Sequence, residues 1–600
     1  MPTVADLALL SDCQGAAIVD RRGTLLWWCA PRFDDRPSFS GLLDPGAGHF
    51  SLAPVAPAQT GRRYREDTLV LETAHRTPAG AVRVHDALAL APGSRGHEIG
   101  HGVPHALVRV VEGLAGEVEV EVDFAPRPDW GLVRPELART PGGVRTLGGP
   151  GTLHLRTDVP LRLGQRGRAT GRFTVRAGDR VAFVVRHAPG WEGAEGPELP
   201  PADTLLEETA EGWRSWVAAH GPFEGEHAAF VRRSALVLQG LTYAPTGAMV
   251  AAATSSLPEV PGGPANWDYR FAWLRDGSFT VRALRAATCG DETIRYLEWM
   301  GRAAASCAPG ELPQVVFGVE GERDLSEHEL PHLAGFGGAR PVRVGNDAWR
   351  QLQLDVPGEV LDAAWQLRDG VDGQFEPRLA RFLAELADTV AARWPDDDAG
   401  IWEGREGLRP YTPSKVMAWT ALDRAVRLAD RLGEAEGAAR VRGWAAARDE
   451  VRALVLERAW HDGVGAYTGA LGSDHLDAAV LMMPLVGFLP ATDPRMRRTI
   501  EVVARELGDG SRVRRWTGSE DEQGFALCSF WLAECLVLAG EVERAAELFE
   551  AAAGHANDLG LLGECLDEHG THGNFPQAFS HVGLINAAVA IDRALTGARG

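Results

Sequence analysis

Residues 525–540, FALCSFWLAECLVLAG, form a segment of helical length that is apolar on nearly every side. Residues 477–488, DAAVLMMPLVGF, have the same character, whereas residues 440–459, RVRGWAAARDEVRALVLERA, carry a charged face at helical spacing. A helix that is apolar all round is buried, and a helix with one charged face lies at the surface. The second half of the chain therefore predicts two kinds of helix, one inside and one outside.

The order of these helices and the lengths of their connections predict the architecture. Beyond residue 225 the pattern indicates about twelve helices. They lie near residues 226–241, 276–287, 291–306, 357–370, 376–394, 413–432, 436–459, 475–487, 494–506, 525–540, 542–554 and 577–596. Connections after even-numbered helices are short, whereas those after odd-numbered helices have about 15 to 50 residues. Helices that are apolar all round alternate with helices that have one charged face, in step with the loop lengths. This arrangement predicts an (α/α)6 barrel, and we expect its long-loop end to be the functional face.

The amino-terminal part has a different periodicity. Between about residues 12 and 190 apolar and polar residues alternate with period two, as in GEVEVEVDF at 116–124 and GRFTVRAGDRVAFVVRH at 171–187. Such alternation, with turn residues between the runs, predicts antiparallel strands and a β-sandwich. The expected chain is multidomain, all-β plus all-α. It comprises an N-terminal antiparallel β-sandwich at residues 1–200, a linker helix at residues 201–224 and a catalytic (α/α)6 barrel at residues 225–600.

Charge and composition exclude several classes of function. The 600-residue chain has a formal net charge of −21, so it offers no basic surface for nucleic acid or anionic lipid. It has neither a membrane-spanning apolar run nor a basic leader, and its seven cysteines form no CxxC pair. An odd number of cysteines fits reduced thiols. We expect a cytoplasmic protein with a small polar partner, no nucleic acid and no membrane; a homo-oligomer is left open.

Several other chemistries lack the residues they need. Lys415 is the only lysine among the 61 basic residues, and because it follows Ser414 there is no Gly-Lys-Ser/Thr nucleotide loop. No G-x-S-x-G elbow supports a serine hydrolase. His569 and His572 have the i, i+3 spacing of metal ligands, but no second ligand pair such as HExxH accompanies them. We therefore expect no metal and no organic cofactor.

The long loops share one composition. Loop one is residues 253–278, loop two 340–355, loop three 400–415, loop five 514–524 and loop six 559–577. Tryptophans alternate in them with Arg, Asp, Glu, Asn and Gln. Aromatic faces cover the C–H faces of a sugar and planar polar groups bind its hydroxyls, so the loops favour a carbohydrate pocket. The alternative is that the aromatic residues belong to the core and the charges to a solvated rim.

Hydrolysis of a glycoside requires two carboxyl groups, one protonated and one ionised. The candidates in the long loops are Glu403, Glu406, Glu520, Asp521, Glu522, Glu564, Asp567 and Glu568. Glu403 follows Trp402, and an apolar neighbour raises the pKa of a carboxyl group as a general acid requires. Glu564 lies in an apolar segment, whereas Asp567 and Glu568 lie in a polar one and are expected to be solvated. The pattern nominates Glu403 with Glu564 and leaves Glu406 as a surface charge.

The motifs around these residues resemble glycoside hydrolase family fifteen, the glucoamylase-type inverting glycosidases, and within it the bacterial branch that includes trehalases. The resemblance covers nearly the whole chain. It rests on the segments DCQGAAIVDRRGTLLWWCAPRFDD (12–35), LTYAPTG, NWDYRFAWLRDGSFT, PVRVGNDAWRQLQLD, SKVMAWTALDRA, CSFWLAE and GNFPQAFSHVGLINAA.

The resemblance implies roles at the matching positions. Glu403 matches the general acid, Glu564 the general base, and the Arg275–Asp276 pair the group that holds the terminal glucose. The further positions in substrate-binding motifs are Trp267, Trp402, Arg343 and Asn346. For Lys415 a structural contact and a substrate contact both stay open.

The implied function is an exo-acting, inverting α-glucoside hydrolase that releases β-glucose from trehalose or from small α-1,4 or α-1,6 glucosides. Five positions depart from the family pattern and leave the preferred substrate open: Ala265, Pro357, Pro410, Pro413 and Cys565. A phosphorolytic barrel enzyme, a non-catalytic glycan-binding protein and a barrel epimerase or lyase are the alternatives. Inversion requires the two carboxyl groups to lie about 6.5 to 9.5 Å apart.

Overall fold

The computed structural model describes residues 2–190, 198–221, 223–304, 310–368, 373–405, 407–433, 438–518 and 523–598. Glu406, Glu520, Asp521 and Glu522, which were among the candidate carboxyl groups, lie outside these residues. No helix within the described residues is both long enough and apolar enough to cross a membrane.

The amino-terminal part is an antiparallel β-sandwich, as predicted. Its strands are β1 (Ala8–Ser11), β2 (Ala16–Val19), β3 (Leu25–Cys29), β4 (Phe39–Ser40), β5 (His49–Pro54), β6 (Gln59–Tyr64), β7 (Leu71–Thr77), β8 (Gly80–Leu88), β9 (Ala106–Ala125), β10 (Glu136–Thr140), β11 (Gly143–Leu147), β12 (Gly151–Arg156), β13 (Arg162–Gly164), β14 (Arg168–Arg176) and β15 (Arg180–Pro189). The two segments that carried the alternating pattern lie in β9 and in the β14–β15 hairpin.

Strand β9 belongs to both layers of the sandwich. Its first half pairs with β8 and β15, and its second half pairs with β5 and β14. The strand changes layer near Gly113 and Gly116, where a side chain would collide with the backbone of the neighbouring strands. Gly116 also has a φ of +62°, which glycine adopts without strain. Between the layers, the Phe50 and Phe183 rings lie 6.1 Å apart.

The predicted linker helix is α1 (Ala202–Ala219). Its apolar residues Leu205, Leu206 and Ala210 are buried against alternate residues of β9, including Val108. The helix therefore covers the outer face of one layer of the sandwich. The domain boundaries at residues 200 and 225 remain predictions.

The rest of the chain is an (α/α)6 barrel. Its helices are α2 (Ala228–Gly240), α3 (Gly277–Ala286), α4 (Gly290–Ala304), α5 (Val356–Leu367), α6 (Pro377–Arg393), α7 (Thr412–Arg427), α8 (Ala438–Arg458), α9 (Met482–Leu485), α10 (Pro494–Glu506), α11 (Ala526–Leu538), α12 (Val542–Ala553) and α13 (Ala578–Ala598). Helices α3, α5, α7, α9, α11 and α13 contact one another in sequence, and α13 contacts α3 to close the ring. Every residue from Ala526 to Leu536 of α11 is buried, as expected for an inner helix.

Short strands connect the long loops to one another. They are β16 (Thr242–Tyr243), β17 (Ala248–Met249), β18 (Ala272–Trp273), β19 (Val316–Phe317), β20 (His328–Glu329), β21 (Arg343–Val344), β22 (Trp460–His461), β23 (Ala466–Tyr467), β24 (Gly524–Phe525), β25 (Cys565–Asp567) and β26 (Gly570–His572). Strands β24, β25 and β26 form one sheet, so loops five and six are held side by side.

The prediction of a regular helix at residues 475–487 was wrong. The segment is a 3-10 helix, Ala478–Leu481, followed by the single α-helical turn of α9. Pro484 explains the difference, because its ring lacks an N–H group and collides with the carbonyl group four residues before it. The Asp477 side chain starts the segment by accepting a hydrogen bond of 2.7 Å from the Ala479 N–H.

Two glycines in helices provide a matched test of the packing. A Cβ atom on Gly358 of α5 would lie 2.4 Å from the Met417 carbonyl oxygen of α7, whereas one on Gly443 of α8 would meet nothing within 4 Å. Gly358→Ala should therefore lower Tm, because overpacking costs about 1–3 kcal/mol. Gly443→Ala should raise it, since alanine favours a helix by about 1 kcal/mol. Calorimetry of both variants tests this; a Gly358→Ala variant as stable as the wild type would contradict the close approach of α5 and α7.

Candidate active site

A cavity of about 470 Å³ lies at the long-loop end of the barrel, and this volume is typical of small-molecule sites. With loop four defined as residues 459–477, all six long loops contribute to its wall. The wall includes Glu259, Trp267, Tyr269, Trp273, Arg275 and Asp276 from loop one, Asn346 and Gln351 from loop two, Trp402, Glu403 and Arg405 from loop three, His475 and Asp477 from loop four, Arg515 and Trp516 from loop five, and Glu564 and Gln577 from loop six.

A tight turn in loop three presents Glu403 to this cavity. Its N–H donates to the Gly400 carbonyl oxygen at 3.1 Å, and its φ of +59° lies in the left-handed region that residues other than glycine rarely adopt. Two donors contact its carboxylate at Oε1: Trp273 Nε1 donates at 2.7 Å and Arg275 Nη1 donates at 2.7 Å. The side chain is 20% exposed, so a ligand in the cavity can reach it.

Trp402 does not provide the apolar environment that its position before Glu403 predicted. Its indole N–H donates to the Asp477 carboxylate at 2.9 Å, and its ring packs against Phe525 and Trp531. Neighbours in sequence point in different directions at this turn because the backbone of Glu403 is left-handed. The polar contacts of Glu403 come instead from loop one.

Arg275 and Asp276 lie together at the start of α3. The Arg275 guanidinium is 3.5 Å from the Asp276 carboxylate, in addition to its contact with Glu403. Asp276 occupies the N-cap position of α3 but makes no capping hydrogen bond, and its buried Oδ1 atom, 3.5 Å from Arg275 Nε, has no hydrogen-bond partner among the described residues. Burial raises the pKa of Asp276 to about 6, although Arg275 acts in the opposite direction. This carboxyl group is therefore available to a hydroxyl group in the cavity.

Glu564 lies directly before β25, where loop six is fixed by the three-stranded sheet. Its N–H donates to the His572 carbonyl oxygen at 2.8 Å, and Gly573 allows the close packing, since a Cβ atom there would lie 2.9 Å from Glu564. The side chain is 2% exposed. Its Oε1 atom accepts a 2.7 Å hydrogen bond from the Tyr269 hydroxyl, whereas the buried Oε2 atom has no partner within the described part of the chain. The free oxygen can bind a water molecule or a ligand.

A second carboxylate, Glu259, lies beside Glu564. It accepts hydrogen bonds from Trp267 Nε1 at 2.9 Å and from Arg515 Nη2 at 2.5 Å. Burial raises the pKa of Glu564 to about 8 and the Glu259 charge adds to this shift, whereas Arg515 and Tyr269 lower the pKa. Glu259 thus raises the pKa of Glu564 directly through its charge, and it also pairs with Arg515, whose charge lowers that pKa.

Trp267 is held in place by two arginines. The Arg343 and Arg405 guanidinium groups lie 4.5 Å and 4.2 Å from the centre of its ring. Both also pair with Glu327, at 3.1 Å and 2.8 Å. Arg343 itself is not part of the cavity wall, and its role as a substrate-binding residue remains a prediction. Its contacts instead fix the Trp267 ring.

Comparison with known proteins identifies the family. The sequence profile described as Glycosyl hydrolases family 15 matches residues 225–589, and the profile described as Trehalase-like, N-terminal matches residues 1–168. This chain belongs to glycosyl hydrolase family 15. The family 15 resemblance of the sequence is thereby confirmed, and the protein is a glycoside hydrolase.

Two relatives and one solved structure illustrate the similarity of this family 15 enzyme to known proteins. A trehalase of Mycolicibacterium smegmatis is 37% identical, over 99% of this chain and 92% of the relative. A trehalase of Thermoplasma volcanium is 30% identical, over 99% of this chain and 94% of the relative. The crystal structure of a bacterial glucoamylase complexed with acarbose aligns with a TM-score of 0.72 at 12% identity, over 98% and 95% of the two chains. This structural match shows the shared fold.

The structure brings together seven of the eight predicted site residues of the family 15 enzyme, all except Arg343. Sequence reasoning missed Glu259, Gln351, Asp477 and Arg515. Asp477 carried a detectable signal, because an aspartate directly before an apolar helix is a typical N-cap. Glu259 carried none, since its partner Arg515 lies far away in the sequence.

Loop six contains one further correction. Asp567 was expected to be solvated, but it is buried and pairs with His572 at 2.6 Å. Glu568, by contrast, is exposed as expected. The hypothesis of a metal at His569 and His572 gains no support, because the described residues able to hold an ion together lie elsewhere.

Lys415 makes a structural contact. Its buried Nζ atom donates to the Trp394 carbonyl oxygen at 2.8 Å and to the Asp396 carbonyl oxygen. Trp394 is the C-cap residue of α6, where carbonyl groups lack partners within the helix. Lys415 on α7 therefore closes the end of α6.

Lys415→Met should lower the stability of the family 15 enzyme without removing its activity. The substitution leaves buried carbonyl groups unpaired, which costs about 1–3 kcal/mol, and urea unfolding measures the loss. Arg285, an exposed cation on α3, provides the control variant Arg285→Met, for which we expect a change below about 0.5 kcal/mol. A large rise in KM at unchanged stability would instead make Lys415 a substrate contact.

Proposed function

We propose that this family 15 enzyme hydrolyses trehalose with inversion of configuration at the anomeric carbon of one of its two glucose units. The observation that carries the proposal is a pair of glutamates on separate loops of one cavity, Glu403 and Glu564. They are connected by a chain of contacts, because Tyr269 binds Glu564, the Tyr269 and Trp273 rings lie 5.5 Å apart, and Trp273 binds Glu403. Relatives named trehalases, which align over nearly the full chain, support trehalose as the substrate.

In this proposal Arg275 and Asp276 hold the hydroxyl groups of the glucose unit whose anomeric carbon is attacked. Arg275 already spans the distance between Asp276 and Glu403. A sugar hydroxyl that accepts a hydrogen bond from Arg275 competes with Glu403 for the guanidinium. Sugar binding therefore weakens the contact between Arg275 and Glu403.

Glu403 acts as the general acid. Because Trp273 and Arg275 both donate to Oε1, the Oε2 atom is left to carry the proton. The proton passes from Oε2 to the glycosidic oxygen as the bond to the anomeric carbon breaks.

Glu564 acts as the general base. Glu564 lines the cavity and its Oε2 atom has no partner among the described residues, so this atom can accept a hydrogen bond from the water that attacks the anomeric carbon. Its raised pKa increases its affinity for the proton of that water. A separation of about 6.5 to 9.5 Å between the Glu403 and Glu564 carboxyl groups leaves room for that water, and this separation remains a prediction.

The anomeric form of the glucose first released from trehalose tests the proposal. Inversion converts the attacked glucose to the β anomer, while the leaving glucose keeps its α configuration, so early proton NMR spectra should show both anomers in equal amounts. Maltose and isomaltose serve as competing substrates. Initial release of the α anomer alone would contradict inversion, and glucose release from maltose or isomaltose but not from trehalose would contradict the substrate.

Glu403→Gln and Glu564→Gln should each lower kcat about 10²–10⁴-fold, the usual contribution of a general acid or base. Glu568→Gln, an exposed residue of the same loop as Glu564, is the control and should retain wild-type kcat. Circular dichroism checks that the variants are folded. A Glu403→Gln enzyme with most of its activity would refute the acid assignment.

Glu259→Gln should shift the acidic limb of the kcat/KM profile to lower pH. The limb reports deprotonation of the base in the free enzyme. Removing the Glu259 charge, and freeing Arg515 from its pair, both lower the raised pKa of Glu564. Glu327→Gln, which removes a carboxylate paired with Arg343 and Arg405, is the control. If neither variant moves the limb, Glu564 is not the group that titrates there.

The phosphorolytic alternative lacks support from the contacts in the cavity. A phosphorolytic enzyme needs an anion site where the attacking water lies in a hydrolase, but the buried Glu564 and Glu259 carboxyl groups occupy that wall. Added phosphate should therefore yield no glucose 1-phosphate from trehalose. Formation of that product would replace the hydrolase proposal with phosphorolysis.

A further inference from the structure

Three side chains of the kinds that bind metal ions, two histidines and a glutamate, lie where the sandwich, the linker helix and the barrel come together. His97 lies in a 3-10 helix of the sandwich, His220 directly follows α1, and Glu292 lies in the first turn of α4. One nitrogen of each histidine and one carboxylate oxygen all lie within 4.8 Å of one another. None of the three residues is part of the wall of the catalytic cavity.

The contacts within this cluster are short. His97 Nδ1 is 2.9 Å from Glu292 Oε1, and His220 Nε2 is 3.0 Å from Glu292 Oε2. The His97 and His220 rings are nearly perpendicular, with centres 5.0 Å apart. His220 and Glu292 are almost completely buried, whereas the His97 side chain is 28% exposed.

The outer nitrogen of each histidine also has an acceptor. His220 Nδ1 is 2.7 Å from the Trp216 carbonyl oxygen, and His97 Nε2 is 2.8 Å from the Asp291 carboxylate. With the outer N–H donated to these acceptors, each inner nitrogen has a lone pair that faces the Glu292 carboxylate. A lone pair and a carboxylate at this distance need a cation between them, either a proton or a metal ion.

The arrangement matches the surroundings of known metal ligands. Metal-binding histidines almost always donate their other N–H to a carboxylate or a backbone carbonyl, which fixes the tautomer. His97 has the carboxylate and His220 has the carbonyl. Trp216 Nε1 additionally donates to Glu292 Oε1 at 2.8 Å, which orients the carboxylate.

We propose that His97, His220 and Glu292 bind one Zn²⁺ ion, with water as the fourth ligand. Two imidazoles and a carboxylate suit Zn²⁺ better than Mg²⁺ or Ca²⁺, which prefer oxygen ligands. Tetrahedral ligands with bonds of about 2.0–2.1 Å lie about 3.3 Å from one another, close to the 2.9 Å and 3.0 Å contacts of the cluster. The partial exposure of His97 provides access for the ion and for the water.

The ion has a structural role. Its three ligands come from a loop of the sandwich, from the end of the linker helix and from α4, so it connects the three parts of the chain at one point. Binding of Zn²⁺ to the folded form alone stabilises the docked arrangement by mass action. The site is separate from the catalytic proposal, which requires no metal.

The test uses the full-length, untagged protein treated with a chelator and then dialysed. After addition of Zn²⁺ and gel filtration, elemental analysis should find about one Zn²⁺ per chain, and Tm should rise by a measurable shift that EDTA reverses. Co²⁺ in place of Zn²⁺ should give the visible absorption of a tetrahedral nitrogen and oxygen site. Unchanged Tm without stoichiometric Zn²⁺ would mean that protons alone balance the cluster, and would overturn the proposal.

Variants locate the ion. His97→Gln combined with His220→Gln should lose the bound Zn²⁺, the Co²⁺ spectrum and the Zn²⁺-dependent shift in Tm. His101→Gln in the same loop and His569→Gln in loop six should keep all three. His97→Gln alone, which changes the most exposed ligand, gives the same test if the double variant does not fold. Retention of Zn²⁺ by a folded His97→Gln variant would place the ion elsewhere and refute the site.

Discussion

Closure of the six inner helices into one ring determines where this enzyme can do chemistry. Residues such as those from Ala526 to Leu536 are buried on all sides of their helix, so the interior leaves little space for a polar ligand. The polar groups that a sugar requires therefore come from the helix ends. Since short connections lie at one end of the ring and long ones at the other, the long-loop end alone has enough chain to surround a cavity.

The carboxyl groups in the cavity differ in their partners. Arg275 pairs with Glu403 and Arg515 pairs with Glu259, while the donor to Glu564 among the described residues is the Tyr269 hydroxyl. A buried carboxyl group without a guanidinium partner favours its neutral form, in keeping with the raised pKa of Glu564. The two catalytic candidates therefore have different surroundings in the free enzyme.

Much of the architecture could be predicted because it follows from periodicity. Eleven of the twelve barrel helices lie close to their predicted ranges, and the long loops contain the site residues. The segment at 475–487 failed because Pro484 overrides an apolar pattern that is helical in every other respect. Local patterns also gave the position of Glu403 in the site, but not its contacts, because the left-handed backbone of that residue turns Trp402 away from it.

Contacts between distant loops were beyond prediction for a physical reason. Whether Asp567 is solvated depends on the position of His572 across a turn of two short strands, and the partner of Glu259 comes from loop five. A polar composition indicates exposure only when no partner is brought to the residue by the fold. The same limit applies to His97, His220 and Glu292, which have no common motif and become a cluster only after the sandwich packs against the barrel.

The contacts of Glu403 and Glu564 connect sugar binding to the proposed acid–base chemistry. In the free enzyme Arg275 donates to Glu403, and burial raises the pKa of Glu564. In the proposed reaction a sugar that takes hydrogen bonds from Arg275 competes with Glu403 for that arginine. A charge on Glu403 raises the pKa of Glu564, since the two carboxyl groups repel each other, so the charge that Glu403 acquires when it gives up its proton would strengthen Glu564 as the base.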